Sequence, residues 1–137
     1  MAAISQTPGS VLKGASASTN AGTAGGTLTA GMPIYIDTAD SNKIKACKAD
    51  AAGTANCDGI VLNGASTGQP CDYQSVGDIN LGATLVVGQV HCVSAAAAGA
   101  IVPYSDLTTA GYVTVLGVAT TAGNLKLSII NSATAKP

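Results

Sequence analysis

The apolar residues of this chain come in short runs, and each run is closed by residues that turn a backbone. Pro33–Asp37 (PIYID) runs into Thr38–Asn42 (TADSN), and Gly59–Leu62 (GIVL) runs into Asn63–Gly68 (NGASTG). Runs of β-branched and aromatic residues bounded by Gly, Asn and Asp read as strands and turns. The one helix-like stretch, Ser94–Gly99 (SAAAAG), is too short to stand alone as a helix and reads as a loop. Lys43–Cys47, Gln69–Ser75 and Leu125–Ile130 alternate polar with apolar, as half-buried strands do. In the last of these Lys126 and Ser128 take the outer face.

The remaining strands are expected at Ile79–Leu81 after a Gly77-Asp78 turn, at Thr84–Val87 and Gln89–Val93 on either side of Gly88, at Ile101–Val102 and at Tyr112–Val118. Lys48–Asp58 reads as a loop. The expected fold is all-β, a small β-barrel or sandwich spanning residues 27–130, with Asn131–Pro137 as a C-terminal tail. Residues 1–26 are small and polar and end in SASTNAGTAGGT, a composition that predicts an extended, flexible N-terminal arm.

A weak internal repeat runs through the strands. Thr27-Leu28 with Gly31 is echoed by Thr84-Leu85 with Gly88, and each is followed by an apolar strand ending at Ile36 or Val93. Second strands follow at Ile44 and Ile101. Gly59-Ile60-Val61 then aligns with Gly117-Val118-Ala119, and Gln69–Ser75 with Asn124–Ser128. The pattern suggests two similar β units packed together, a way to bury strand edges.

The chemistry available to such a fold is narrow. The chain has no Glu, Arg, Trp or Phe, and its only His is His91. Seven Asp and six Lys make up the charged inventory. Acid–base catalysis needs such groups gathered in a pocket, so no catalytic residue, no cofactor and no enzymatic activity are expected. Six scattered Lys form no basic stripe, so no nucleic-acid partner is expected. No stretch approaches the apolar length of a membrane span, and the N-terminus lacks the charged start and apolar run of a signal peptide. A surface this poor in charge favours association, and an oligomer or assembly is expected.

Individual motifs have plain explanations. Asp37 and Asp40 with Ser41 and Asn42 lack the further oxygen ligands of a calcium loop, and turn formation accounts for them. His91 and Cys92 are adjacent on an expected strand, so they face opposite ways and form no catalytic pair. Gly22–Gly26 (GTAGG) lacks the Lys of a phosphate loop, Ser105-Asp106 reads as a turn, and no metal site is expected. Four cysteines remain as candidate disulfide formers: Cys47, Cys57, Cys71 and Cys92. They form no CxxC, and with His91 the only imidazole a zinc site is not expected. Free buried thiols are one reading. In another, Cys47–Cys57 closes a short loop and Cys71–Cys92 ties two strands.

The order of motifs carries further. Ala30-Gly31-Met32-Pro33-Ile34-Tyr35-Ile36-Asp37 is followed by Asn42-Lys43-Ile44 and Lys48-Ala49-Asp50. Next come Asp58-Gly59-Ile60-Val61-Leu62, Ala65, Gly68-Gln69-Pro70, Gly77-Asp78-Ile79 and Gly82-Ala83-Thr84-Leu85. The chain closes with Gly99–Pro103, Tyr112-Val113, Leu116–Ala119 and Leu125-Lys126-Leu127. Across about residues 28–130 this series resembles the small capsid cement, or head decoration, proteins of tailed bacteriophages. The resemblance implies a β-rich homotrimer, made in the host cytoplasm, that binds the major capsid protein on the outer surface of the virion. It also implies stabilisation of the expanded shell. The four cysteines and the arm are departures from the family pattern. A virus particle would carry any disulfide out of the reducing cytoplasm without a signal peptide. The alternative expectation is a cell-surface or fimbria-like structural subunit.

Overall fold

The structure, a computed structural model, describes residues 4–107 and 110–137. It is a nearly all-β fold whose strands join one curled, antiparallel sheet. The strands are β1 (Val11–Lys13), β2 (Ser18–Thr23), β3 (Pro33–Asp37), β4 (Lys43–Ala46), β5 (Gly59–Val61), β6 (Pro70–Leu81), β7 (Val90–Val93), β8 (Ile101–Pro103), β9 (Tyr112–Ala119) and β10 (Asn124–Ala135). The sheet order is β4-β3-β5-β6-β10-β9-β7-β8, with β1 and β2 laid on β6. One helical turn, α1 (Ala52–Ala55), interrupts the loop between β4 and β5.

The repeat seen in the sequence is a repeat of topology. β3 pairs with β4 and β5, and β5 pairs with β6. In the second half β7 pairs with β8 and β9, and β9 pairs with β10. The turns that open each half bond alike. Leu28 N–H donates to Ala65 O at 2.8 Å and Leu85 N–H to Ala122 O at 2.7 Å. Gly31 N–H donates to Val61 O and Gly88 N–H to Ala119 O, both at 2.8 Å. The unit also reaches further back than the motifs do. β2 pairs with β6 ahead of the first half, as β6 pairs with β10 ahead of the second. Strand β6 therefore closes one unit and opens the next.

This corrects the expectation of a flexible N-terminal arm over residues 1–26. Residues 1–3 of that arm lie outside the described residues. In the rest, Val11 pairs with Leu81 and is buried, and Thr19–Thr23 run along Gln74–Pro70. Ile4 N–H donates to Ile101 O at 2.9 Å, and Gln6 Nε2 donates to the carbonyls of Gly31 and Leu81. Backbone pairing to a long neighbour supplies the order that the small side chains do not.

Three other expectations change. Gly77-Asp78 does not end a strand: β6 runs through it, bent at a β-bulge where Ser18 pairs with Val76 and Thr19 with Gln74. Gly77 takes φ 95° there, so the strand bends instead of breaking. Thr84–Val87 is a loop, because the N–H groups of Leu85 and Gly88 bond across to the β9–β10 turn, and Val86 and Val87 point outward. The expected tail at 131–137 is instead the second half of β10. Asn131 pairs with Thr114, Ala135 with Tyr112, and Lys136 N–H donates to Gly111 O.

Three apolar clusters hold the sheet. The bulge lets the odd-numbered residues of β6 serve two of them in turn. Cys71 and Tyr73 join Leu28, Ile34, Ile44 and Val61 in one. The isolated Ala24–Ile44 bridge curls β4 round against the end of β2 at this cluster. Ile79 and Leu81 join the largest, with Ile60, Val93, Ile101, Leu116 and Leu125. Cys92, Val102 and Leu107 form the third, on the other face of β7 and β8.

Candidate functional site

Among the described residues, the candidate site residues fall in three places of interest. At the β3–β4 hairpin, Asp37 caps the turn by accepting from Ala39 N–H at 3.1 Å. Lys45 lies across the hairpin, 2.7 Å from Asp37 and 3.0 Å from Asp40. Its ammonium, donating to Asp37, holds that carboxyl below its ordinary range, and the two carboxylates hold Lys45 above its own. The lysine thus stands where a cation ligated by Asp37 and Asp40 would sit. Among the described residues no group of three or more His, Cys or Asp side chains is placed to hold a metal ion.

The second place is His91. It is buried, and its Nδ1 lies 3.1 Å from Gln89 O, which accepts, while Nε2 has no partner among the described residues. Burial pushes its pKa below the ordinary value, so the ring is neutral near pH 7. Cys92, next to it, packs with Val102 and Leu107, and burial pushes its thiol up to about 11.

The third place is the 47–57 segment. Cys47 and Cys57 belong to one buried cluster, while Cys71 and Cys92 lie in the two others. The Cys47 and Cys57 thiols lie against each other within their cluster, and the fold does not bring Cys71 to Cys92. All four are free, buried thiols. Two residues that sequence reasoning missed hold this segment against the sheet. Asn131 Oδ1 accepts from Cys57 N–H at 2.8 Å while its Nδ2 donates to Cys57 O at 3.1 Å. Buried Thr114 donates to Ala55 O at 2.6 Å. Gln74 was also missed: its buried Nε2 donates to Val76 O and Asp78 O, bracing the β6 bulge. Asn131 falls in the expected tail, and for Thr114 and Gln74 a polar residue inside an expected strand is the one signal the sequence offers.

The outer surface carries large apolar side chains singly and in pairs: Leu12 at 64% exposed, Val86 at 66%, Val87 at 63%, Val76 and Ile130. A shallow groove beside β1 and β2 is lined by Leu12, Lys13, Thr19, Asn20, Leu62 and Asp72. No helix among the described residues is long and apolar enough to cross a membrane. Comparison with protein-family models, with curated proteins and with solved structures finds no match to this chain.

Proposed function

We propose that this protein is a capsid decoration protein of a tailed bacteriophage. It binds the outer surface of the head as a homotrimer and stabilises the expanded shell. The observation that carries this reading is the ordered motif series, much of which falls on the strands of the sheet. Pro33–Asp37 is β3, Gly59–Val61 is β5, Gly68-Gln69-Pro70 enters β6, and Gly82–Leu85 leads out of it. Ile101–Pro103 is β8, Leu116–Ala119 ends β9 and Leu125–Leu127 lies in β10.

The surface supports the same reading. Exposed apolar side chains on a domain with few charges suit close contact with a protein shell. A ligand that binds only the assembled shell stabilises it by mass action, and copies repeated on a symmetric lattice make modest contacts sum. Few charges also make such binding nearly independent of salt.

The test is co-sedimentation of the purified protein with undecorated heads of the phage that encodes it, with the heads' melting temperature followed in parallel. The reading predicts saturable binding, a higher melting temperature and little change between about 0.1 and 1 M salt. Absence of binding across that range would overturn it, and self-assembled fibres in the unbound fraction would favour a surface subunit.

A further inference from the structure

Cys47 and Cys57 flank a segment that doubles back on itself. Lys48 N–H donates to Thr54 O at 3.0 Å, and Thr54 Oγ1 donates to Lys48 O at 2.8 Å. The Cys47 thiol donates to Asn56 O at 3.3 Å, which seats its sulfur against the residue preceding Cys57. The Cys57 thiol donates to Gly59 O at 3.3 Å. Both backbones are fixed independently. Cys47 N–H donates to Pro33 O and its carbonyl accepts from Gly99 N–H, while Asn131 holds both polar groups of Cys57.

We propose that Cys47 and Cys57 form an intramolecular disulfide when the protein folds or resides outside a reducing compartment, and that this bond locks residues 48–56 onto β9 and β10. The inference goes beyond the capsid reading and does not depend on it. Two thiols held in one apolar cluster on anchored backbone lose little freedom on joining. Cys71 and Cys92 lie in separate clusters and stay reduced.

The oxidant is a low-molecular-weight disulfide such as glutathione disulfide. One cysteine thiolate attacks a sulfur of the oxidant, forming a mixed disulfide and expelling one glutathione thiolate. The second cysteine thiolate attacks the protein-side sulfur, forming the Cys47–Cys57 bond and expelling the second. The protein loses two protons and two electrons, and both appear in two molecules of glutathione thiol. Reaction requires the segment to open, since Cys57 and burial together push the Cys47 thiol well above its ordinary range. The bond therefore forms while the chain folds, or in the moments when the single turn of α1 opens.

The experiment refolds the full chain in a glutathione redox buffer and, separately, in dithiothreitol. Free thiols are alkylated under denaturing conditions, and the chain is cut after Lys and before Asp. The sequence then places Cys47 in Ala46–Lys48, Cys57 in Asp50–Cys57, Cys71 in Asp58–Cys71 and Cys92 in Asp78–Ser105. The proposal predicts a linked 46–48/50–57 pair with Cys71 and Cys92 alkylated. It also predicts a thermal midpoint roughly 5–10 °C higher than in dithiothreitol, from the entropy of closing a short loop in the unfolded chain. Cys71→Ala keeps that difference and Cys57→Ala abolishes it. Alkylation of both Cys47 and Cys57 after oxidative refolding, or linkage of either to Cys71 or Cys92, overturns the proposal. Peptide mapping of the unaltered protein decides this even if a variant fails to fold, and it is unaffected by whether the protein binds heads.

Discussion

At the scale of single residues, burial decides which polar groups matter. His91 is held neutral by burial against the pull of its bond to Gln89. The unfolded chain binds a proton there below about pH 6.5, and the folded chain resists it. Stability should therefore fall as pH drops through that value and stop falling below the depressed folded pKa. Urea titrations between pH 7.5 and 5 would show this, and His91→Gln should flatten it. Asp37, whose pKa is also lowered, acts in a separate window, losing its contribution only as pH falls below about 4. Gly117 is constrained by close approach rather than by charge. A Cβ there would run into the Lys126 carbonyl and Cα of Leu127 on β10. Gly117→Ala should cost about 3 kcal/mol, read by chemical denaturation. Asn131→Ala frees both polar groups of Cys57 and should cost about 1–2 kcal/mol, with faster amide exchange at Cys57 while the core stays protected.

Strand β2 shows, at the scale of elements, why patterning alone misplaced the N-terminus. Ser18–Thr23 holds no large side chain and is almost wholly exposed, so no hydrophobic period marks it. It is a strand because β6 offers an edge long enough for β10 and β5 on one side and β1 and β2 on the other. Deleting residues 1–26 would bare that edge and remove buried Val11 and Ala24. The truncated chain should melt at a lower temperature and elute as aggregate in size-exclusion chromatography, with a core less stable than that of the full chain. The same logic explains Val76–Asp78. Gly and Asp signal a turn, but the bulge there is spanned by Gln74 and paired on both sides.

For the whole molecule, the shared strand makes the two units one cooperative body. Residues 84–137 lack β6, and residues 1–83 lack β10, so neither fragment should fold alone. The intact chain should unfold in a single transition by circular dichroism and by calorimetry. What the sequence determined by itself was the class of fold, most strand positions and the duplicated plan. Short apolar runs closed by Gly, Asn and Asp leave strands as the local solution, and the Thr-Leu…Gly turns repeat with them. Tertiary structure alone decided the rest. It set β2 and the end of β10 into the sheet, and it drew Cys47 to Cys57 while parting Cys71 from Cys92. It also turned Asn131, Thr114 and Gln74 inward as braces. The physical reason is that these outcomes depend on which edge or carbonyl lies opposite in the folded sheet. Backbone pairing and buried polar bonds are non-local and leave no period along the chain.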